Sequence, residues 1–250
     1  MKILIAGAHT PIAKAFVKQH KKKHEMLGLD VKKADFSQYE PLRDIFAVHK
    51  FDAVLYLAAQ GAMQNSGADA DALNLFKNLQ YAAILNGVPK MITVCDAGGE
   101  FGSIMASLAN KDKIGTFLRV YGLIGAGLDV KLNPIAKILS DAHKRGEITL
   151  QANQAVSPVF IDDAVKVLTA FTEKKLPQGV YDIAPAQTDL LKIAQAAKKA
   201  LKAEGGTDIR ITLADKKAFL PPFTGNIEAL RTAYKSSFTS MAAAVTKTLA

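Results

Sequence analysis

The sequence predicts an α/β fold, with a doubly wound parallel sheet followed by a small C-terminal α/β lobe. Short apolar runs bounded by turns alternate with helical patterns through most of the first part of the 250 residues. This alternation is typical of buried parallel strands joined by right-handed crossovers. After Gly127 the rhythm changes, and longer helices alternate with strands that carry polar residues. A glycine directly after the first strand also indicates a tight turn into a helix.

The first part begins with KILIA, an apolar strand at 2–6, and an amphipathic helix follows at 12–20. The segment FDAVLYLA at 51–58 is a nearly unbroken apolar run, as expected of a strand buried on both faces. The same criteria predict the other elements of this part, which are strands at 24–30, 90–95 and 115–121 and helices at 39–49, 70–86 and 103–110.

In the second part, a Thr-Asp pair opens a helix at 188–203, because such side chains cap helix N-termini. The chain ends in a helical region at 226–249 that is interrupted around 236–240. The remaining predicted elements are helices at 133–145 and 162–172 and strands at 148–152, 179–183 and 208–214.

Charge and cysteine content exclude several classes of protein. The formal net charge is +9, but the basic residues are scattered, and the one dense run, at 18–24, is best interpreted as a solvated loop. The sequence contains no basic stripe interleaved with aromatic residues, so it gives no indication of a nucleic-acid surface. The single cysteine, Cys95, excludes an intramolecular disulfide. With no basic leader and no apolar run of membrane-spanning length, we expect a cytoplasmic protein without a membrane partner.

The stretch GAHTPIA at 7–13 lies where a strand turns into a helix over a phosphate. Gly7 suits the tight turn, and Ala13 is small enough for close packing of helix against strand. Thr10 stands where a glycine would let the backbone approach the ligand, so it would crowd a diphosphate unless the loop shifts or its hydroxyl donates to phosphate. Pro11 removes one N–H donor, although the first helical position tolerates proline.

An acidic residue follows at the expected distance. Asp30 ends the second predicted strand 23 positions after Gly7 (30 − 7 = 23), close to the spacing at which a carboxylate holds an adenosine ribose. Asp30 therefore favours NAD, whereas Lys32 and Lys33 could attract the ribose phosphate of NADP. The preference between NAD and NADP stays open.

Several segments resemble one family. MKILIAGAHTPIAKAF is similar to its opening strand and GxxGxxG turn, FDAVLYLAAQG to its third strand, and KMITVCDA to the strand that bears a catalytic serine. FLRVYGLIGAG, SPVFIDDAVKVL and GVYDIA are similar to later segments, in the same order. The chain thus resembles the extended, or atypical, short-chain dehydrogenase/reductases, the NAD-dependent epimerase/dehydratase group. That group includes nucleotide-sugar epimerases and dTDP-4-dehydrorhamnose reductases.

The resemblance implies a Rossmann-type sheet, NAD or NADP as cofactor, a small-molecule ligand such as a nucleotide sugar in the cleft between two lobes, and a homodimer. It implies that Asp35-Phe36 is the pair that contacts adenine and that Ala58, Ala59 and Gly61 line the cofactor. With the phosphate turn, the expected cofactor residues are Gly7, His9, Thr10, Pro11, Ile12, Asp30, Asp35, Phe36, Ala58, Ala59 and Gly61. The dinucleotide-binding lobe is expected at 1–128 plus about 157–185, and the smaller lobe at about 129–156 plus 186–250.

The catalytic part departs from the family. Its Tyr-x-x-x-Lys pair has no counterpart, because no tyrosine lies between Asp96 and the next predicted strand. Phe101 is the nearest aromatic residue, and Met105 stands where the lysine would be required. Asp96, at the serine position, and Tyr121 are the remaining candidates for catalysis. The alternatives are a loop or helix cap for Asp96 and a packing role for Tyr121.

Three hypotheses follow: an enzyme with non-standard catalytic residues, a dinucleotide-binding sensor or regulatory protein without turnover, and a scaffold whose site has decayed. The missing Tyr/Lys pair weakens the first, while Asp30 and Asp35 weaken the third. No metal is expected, because the histidines show no ligand spacing with carboxylates along the chain; they are His20, His24, His49 and His143.

Overall fold

The computed structural model describes residues 1–29, 35–57, 70–97, 107, 115–206, 208–215 and 218–250. Thirteen strands and eight helices are described in these ranges. The strands are β1 (Lys2–Ala6), β2 (Glu25–Gly28), β3 (Ala53–Tyr56), β4 (Met91–Asp96), β5 (Gly115–Val120), β6 (Leu123–Ile124), β7 (Glu147–Leu150), β8 (Asn153–Val156), β9 (Val159–Phe160), β10 (Gly179–Ile183), β11 (Thr188–Asp189), β12 (Arg210–Leu213) and β13 (Phe219–Phe223). The helices are α1 (Pro11–His20), α2 (Glu40–Val48), α3 (Ala70–Leu85), α4 (Pro134–Arg145), α5 (Ile161–Glu173), α6 (Leu190–Ala203), α7 (Glu228–Ala233) and α8 (Met241–Leu249).

Six of the strands form one sheet in the order β10-β5-β4-β3-β1-β2. Strand β1 pairs in parallel with both β2 and β3, and β3 pairs in parallel with β4. The central strands β3 and β4 are buried along their whole length, as expected from their largely apolar sequences AVLY and MITVCD. The predicted α/β fold with a doubly wound parallel sheet is confirmed.

The chain divides into two compact units. One comprises Met1–Gln60, Asn65–Arg119 and Val165–Tyr181, and the other comprises Gly61–Gln64, Val120–Ala164 and Asp182–Ala250. The first unit has a core built around the sheet by large side chains such as Phe76, Tyr56 and Phe117. The second has its own core, in which helices α4, α6 and α8 contribute Ile138, Ile193 and Val245. Among the described residues, no helix is both long and apolar enough to cross a membrane.

Helix boundaries in the second unit follow from caps. The Asn133 side chain accepts hydrogen bonds from the amides of Ile135 and Ala136 at the start of α4. Gly146 ends that helix with φ +68°, a left-handed conformation that glycine adopts without strain. Asp189 caps α6 by accepting from the amide of Lys192 at 2.8 Å.

One prediction for the second unit needs correction. The helix expected at 188–203 begins at Leu190, because Thr188 and Asp189 pair with β8 as strand β11. The interruption expected around 236–240 is confirmed, since the C-terminal region consists of two separate helices, α7 and α8. The helix predicted at 103–110 lies, except for residue 107, outside the described residues.

Candidate functional site

The turn after β1 lies at the point where the order of the strands along the sheet reverses. Strand β2 pairs on one side of β1 and β3 on the other, so the chain leaves β1 first toward one edge and then toward the opposite edge. In open α/β sheets, ligands bind outside the carboxyl ends of the strands at this switch point. The segment from Gly7 to Ile12 follows the carboxyl end of β1 and leads into α1.

Gly7 and Thr10 build the turn. Gly7 has φ +86°, a backbone conformation that residues other than glycine rarely adopt. The amide of Thr10 donates to the carbonyl oxygen of Gly7 at 3.0 Å, and the Thr10 hydroxyl donates to the same oxygen at 2.9 Å. The hydroxyl oxygen also accepts from the amide of Ala13 at 3.4 Å. Thr10 is therefore the N-cap of α1, and its hydroxyl proton is used within the turn rather than for a phosphate.

The turn leaves backbone donors at the start of α1. Its own hydrogen bonds use the amides of Thr10 and Ala13, and Pro11 has no amide hydrogen. The amides of His9 and Ile12 take no part in these bonds, so they are donors for an anion in the described part of the turn. No acidic residue lies in the first turn of α1, so nothing there offsets the positive end of the helix dipole.

The end of β2 approaches this turn closely. A Cβ atom added at Gly28 would lie 3.0 Å from the Cβ atom of Ala8, so a larger residue at position 28 would push the turn away. A cavity of about 410 Å³ opens beside Ala8 and Gly28 and is lined by Lys14, Lys18 and Lys21. Lys14 and Lys18 lie four positions apart on α1, and Lys21 caps its C-terminal end. The tight glycine turn and the amides of His9 and Ile12 at the start of α1 together fit the phosphates of a dinucleotide.

Asp35 and Phe36 have defined surroundings. The Asp35 carboxylate accepts hydrogen bonds from the hydroxyl and the amide of Ser37, at 2.6 and 2.9 Å, and these bonds lower the pKa of Asp35. Phe36 is buried and belongs to the core cluster around the sheet. Their expected contact with adenine stays a prediction.

The remaining expected cofactor residues Asp30, Ala58, Ala59 and Gly61 lie outside the described residues, as do Phe101 and Met105. Asp96 ends β4 and is 8% exposed. The ring of Tyr121 lies 5.4 Å from that of Phe223, centroid to centroid, and a Cβ atom at Gly225 would lie 2.2 Å from a Tyr121 ring carbon. Tyr121 is thus packed between these two residues of the C-terminal part of the chain.

A second group of polar side chains lies where α1 ends. Glu173, the last residue of α5, places its Oε1 atom 2.9 Å from Nε2 of His24 and 3.7 Å from Nδ1 of His20. Its Oε2 atom lies 2.6 Å from the ammonium nitrogen of Lys23. The two imidazole rings stack with their centroids 5.7 Å apart. Within the described part of the chain, Nδ1 of His24 is buried without a hydrogen-bond partner.

Burial lowers the pKa of His20, against the attraction of Glu173. Burial of Glu173 acts in the opposite direction on that carboxyl, but hydrogen bonds from Lys23 and His24 outweigh it and lower the pKa of Glu173. The sequence did not reveal this cluster, because Glu173 lies 149 positions from His24 and only the fold brings them together.

No protein-family model matches the sequence, and comparison with curated protein sequences finds no match. Similar solved structures exist at low sequence identity. ADP-L-glycero-D-manno-heptose-6-epimerase from Helicobacter pylori is 16% identical and aligns over 99% of this chain and 94% of its own, with a TM-score of 0.80. UDP-glucose 4-epimerase from Thermotoga maritima, solved with UDP-glucose, is 17% identical over 100% of this chain and 97% of its own, with a TM-score of 0.78.

A GDP-L-fucose synthetase from Naegleria fowleri bound to NADP is 14% identical over 99% of this chain and 92% of its own, with a TM-score of 0.75. The chain therefore shares its entire fold with epimerases and a synthetase of sugar nucleotides, at sequence identities that establish the fold and nothing finer.

Proposed function

We propose that this protein binds NAD or NADP, with the diphosphate at the N-terminus of α1. The observation that carries the proposal is the turn closed by hydrogen bonds from the Thr10 hydroxyl and amide to the carbonyl oxygen of Gly7. These bonds leave the amides of His9 and Ile12 as donors for an anion. Lys14, in the adjoining cavity and close to the start of α1, adds positive charge near the turn. The NADP bound to the fucose synthetase of the same fold supports the choice of ligand.

The experiment is a thermal-shift comparison of NAD⁺, NADH, NADP⁺ and NADPH, with AMP and nicotinamide mononucleotide as half-molecule controls. A ligand that binds only the folded chain raises its melting temperature, and a dinucleotide held through its diphosphate raises it more than either half does. Equal, negligible shifts for all six compounds would reject the proposal.

For the second ligand we propose a nucleotide sugar. Support comes from the compounds named for the similar structures, which are nucleotide-linked sugars in each case. Titration of the dinucleotide-saturated protein with ADP-, GDP- and UDP-linked sugars identifies the base that is preferred. A cytoplasmic location is part of the proposal, since the one cysteine, Cys95, is buried and free.

The proton-transfer group we propose is Asp96, because the segment 97–114 contains no tyrosine and Tyr121 is packed between Phe223 and Gly225. Asp96 is nearly buried at the carboxyl end of β4, the edge of the sheet at which ligands of this fold bind. Turnover of a nucleotide sugar that disappears in Asp96→Asn supports this role. Dinucleotide binding without any turnover supports the alternative, a sensor or regulatory protein.

A further inference from the structure

The cluster of His20, His24 and Glu173 lies at the opposite end of α1 from the phosphate turn. His20 is the last residue of α1, and the amide of His24 donates to the carbonyl oxygen of His20 at 3.0 Å. This turn brings both imidazoles to the same carboxylate at the end of α5. With ten residues in α1, the two ends of the helix are about 15 Å apart, so the cluster is separate from the proposed cofactor site.

The contact with Thr169 determines the tautomer of His20, and with it whether the ring nitrogen that faces Glu173 carries a proton. The Thr169 hydroxyl donates to the carbonyl oxygen of Val165 at 2.8 Å, so it can only accept in its 2.9 Å contact with Nε2 of His20. Nε2 therefore carries the proton, and in the neutral ring Nδ1 is a lone pair. That lone pair faces Oε1 of Glu173, a second acceptor, at 3.7 Å. A cation between these two atoms would satisfy both.

The spacing of the three ligand atoms matches a small metal ion. One nitrogen from each histidine and one carboxylate oxygen all lie within 4.8 Å of one another. With metal–ligand bonds of about 2.0–2.2 Å, the ligand atoms of a tetrahedral zinc site are about 3.3 Å apart. The 3.7 Å from Nδ1 of His20 to Oε1 of Glu173 is close to this value, and the 2.9 Å from Nε2 of His24 to Oε1 is a hydrogen bond that zinc would replace, with loss of the Nε2 proton. Lys23 holds only Oε2 of Glu173, and Oε1 stays directed at the imidazoles.

We propose that His20, His24 and Glu173 form a zinc site that ties the turn after α1 to the C-terminal end of α5. Two imidazoles and one carboxylate are a ligand set that zinc accepts, with water in the fourth position. Thr169 is the outer partner that orients His20, the role that a carboxylate, backbone carbonyl or water has for most histidine ligands. The expectation that this chain holds no metal depended on spacing along the sequence, whereas these ligands come from two distant segments.

The test uses the full chain after treatment with a chelator. Calorimetric titration with ZnCl₂ is expected to show one ion bound per chain, and Co²⁺ is expected to give the intense visible absorption of a tetrahedral site. His20→Gln and Glu173→Gln each remove one ligand, so each is expected to weaken zinc binding by at least about tenfold, the lower end of what loss of an outer partner costs. His143→Gln, an exposed histidine on α4, is the matched control and leaves zinc binding unchanged.

Thr169→Val keeps the shape of the side chain and removes only the hydroxyl that orients His20. It is expected to weaken zinc binding by about 10- to 100-fold while the chain stays folded, so it tests the site even where a ligand variant unfolds. The proposal is overturned when the wild-type chain gives neither zinc heat nor cobalt absorption. It is also overturned when the two ligand variants, folded as judged by their melting temperatures, bind zinc as the wild type does.

Discussion

The hydroxyl of Thr10 donates a hydrogen bond to the carbonyl oxygen of Gly7 at 2.9 Å, inside the turn that joins β1 to α1. The same hydroxyl accepts from the amide of Ala13. A threonine at the position where a glycine is expected thus folds inward, closes the turn and caps the helix. The amides of His9 and Ile12 are not used by these bonds. The Thr10 side chain is buried, with the residue only 5% exposed, so it does not project from the turn.

Loss of this cap is expected to destabilise the fold. Thr10→Ala removes the acceptor of the Ala13 amide and should lower the free energy of unfolding by about 1 kcal/mol, the usual cost of losing an N-cap. Thr10→Ser keeps the hydroxyl and serves as the control, with a smaller loss. Urea denaturation measures both variants. Equal destabilisation by serine and alanine would show that the hydroxyl bonds contribute nothing.

A negative charge at the turn is expected to weaken dinucleotide binding. His9 is exposed in the turn, so His9→Glu places a carboxylate beside the proposed diphosphate without disturbing the core. Repulsion at a helix N-terminus is worth about 1 kcal/mol, so the dissociation constant should rise roughly fivefold in low salt and less in high salt. His9→Gln is the neutral control and should bind nearly as the wild type. Identical affinities of the glutamate and glutamine variants would place the phosphates elsewhere.

Lys90 is expected to stabilise the C-terminal end of α5. Its ammonium group donates to the carbonyl oxygens of Thr172 and Lys174, at 2.7 and 2.9 Å, and lies 3.4 Å from that of Phe171. Lys90 is partly buried, and this burial lowers the pKa of its ammonium group. Lys90→Met keeps the aliphatic stem but leaves these carbonyls unpaired, so unfolding should become easier by about 2 kcal/mol.

The control for that variant is Lys50→Met, the same substitution at an exposed lysine. It should change the free energy of unfolding by less than about 0.5 kcal/mol, as most surface substitutions do. Denaturant unfolding of the two variants in parallel decides the matter. A loss at Lys90 no larger than that at Lys50 would contradict the proposed role.

Tyr181 is expected to make stability fall at alkaline pH. Its hydroxyl donates to the carbonyl oxygen of Pro177 at 2.9 Å, and burial raises the pKa of Tyr181 above its ordinary value of 10.0. The folded chain then keeps a proton that the unfolded chain has lost. The stabilisation is complete below about pH 10 and is lost as the pH rises through the folded-state pKa.

Tyr181→Phe should therefore flatten the decline of unfolding free energy between about pH 9.5 and 11, measured by urea denaturation at several pH values. Tyr81→Phe removes a phenol that is 54% exposed and is the matched control. A decline that is equally steep in both variants would contradict the assignment.

The sheet was predictable because most residues of its strands are apolar and turns bound each run. KILIA was predicted at the bounds that the structure shows for β1, and GVYDI at those of β10. The small strands of the second unit were missed for physical reasons. β6 and β9 have two residues each, too short for any period to appear. β13 contains Pro221 and Pro222, which cannot donate to a ladder, and its register shifts between Leu220 and Phe223.

The candidate sites divide in the same way. The turn after β1 is contiguous, so the sequence could predict Gly7, Thr10 and Pro11 as its residues, although it did not predict the inward orientation of the Thr10 hydroxyl. His20, His24 and Glu173 were missed as a group, because a site made from segments 149 positions apart leaves no pattern in one sequence. Thr169, four residues before Glu173 on α5, looked like any polar residue on a helix surface.

Calorimetric titration of the wild-type chain with NAD⁺ and NADP⁺ tests the central claim, that the turn after β1 holds a dinucleotide. The predicted result is saturable heat for at least one of them, with one site per chain and a weaker response in His9→Glu. The result that would contradict the claim is the absence of heat from both up to about 1 mM ligand, which corresponds to binding no stronger than about 4 kcal/mol.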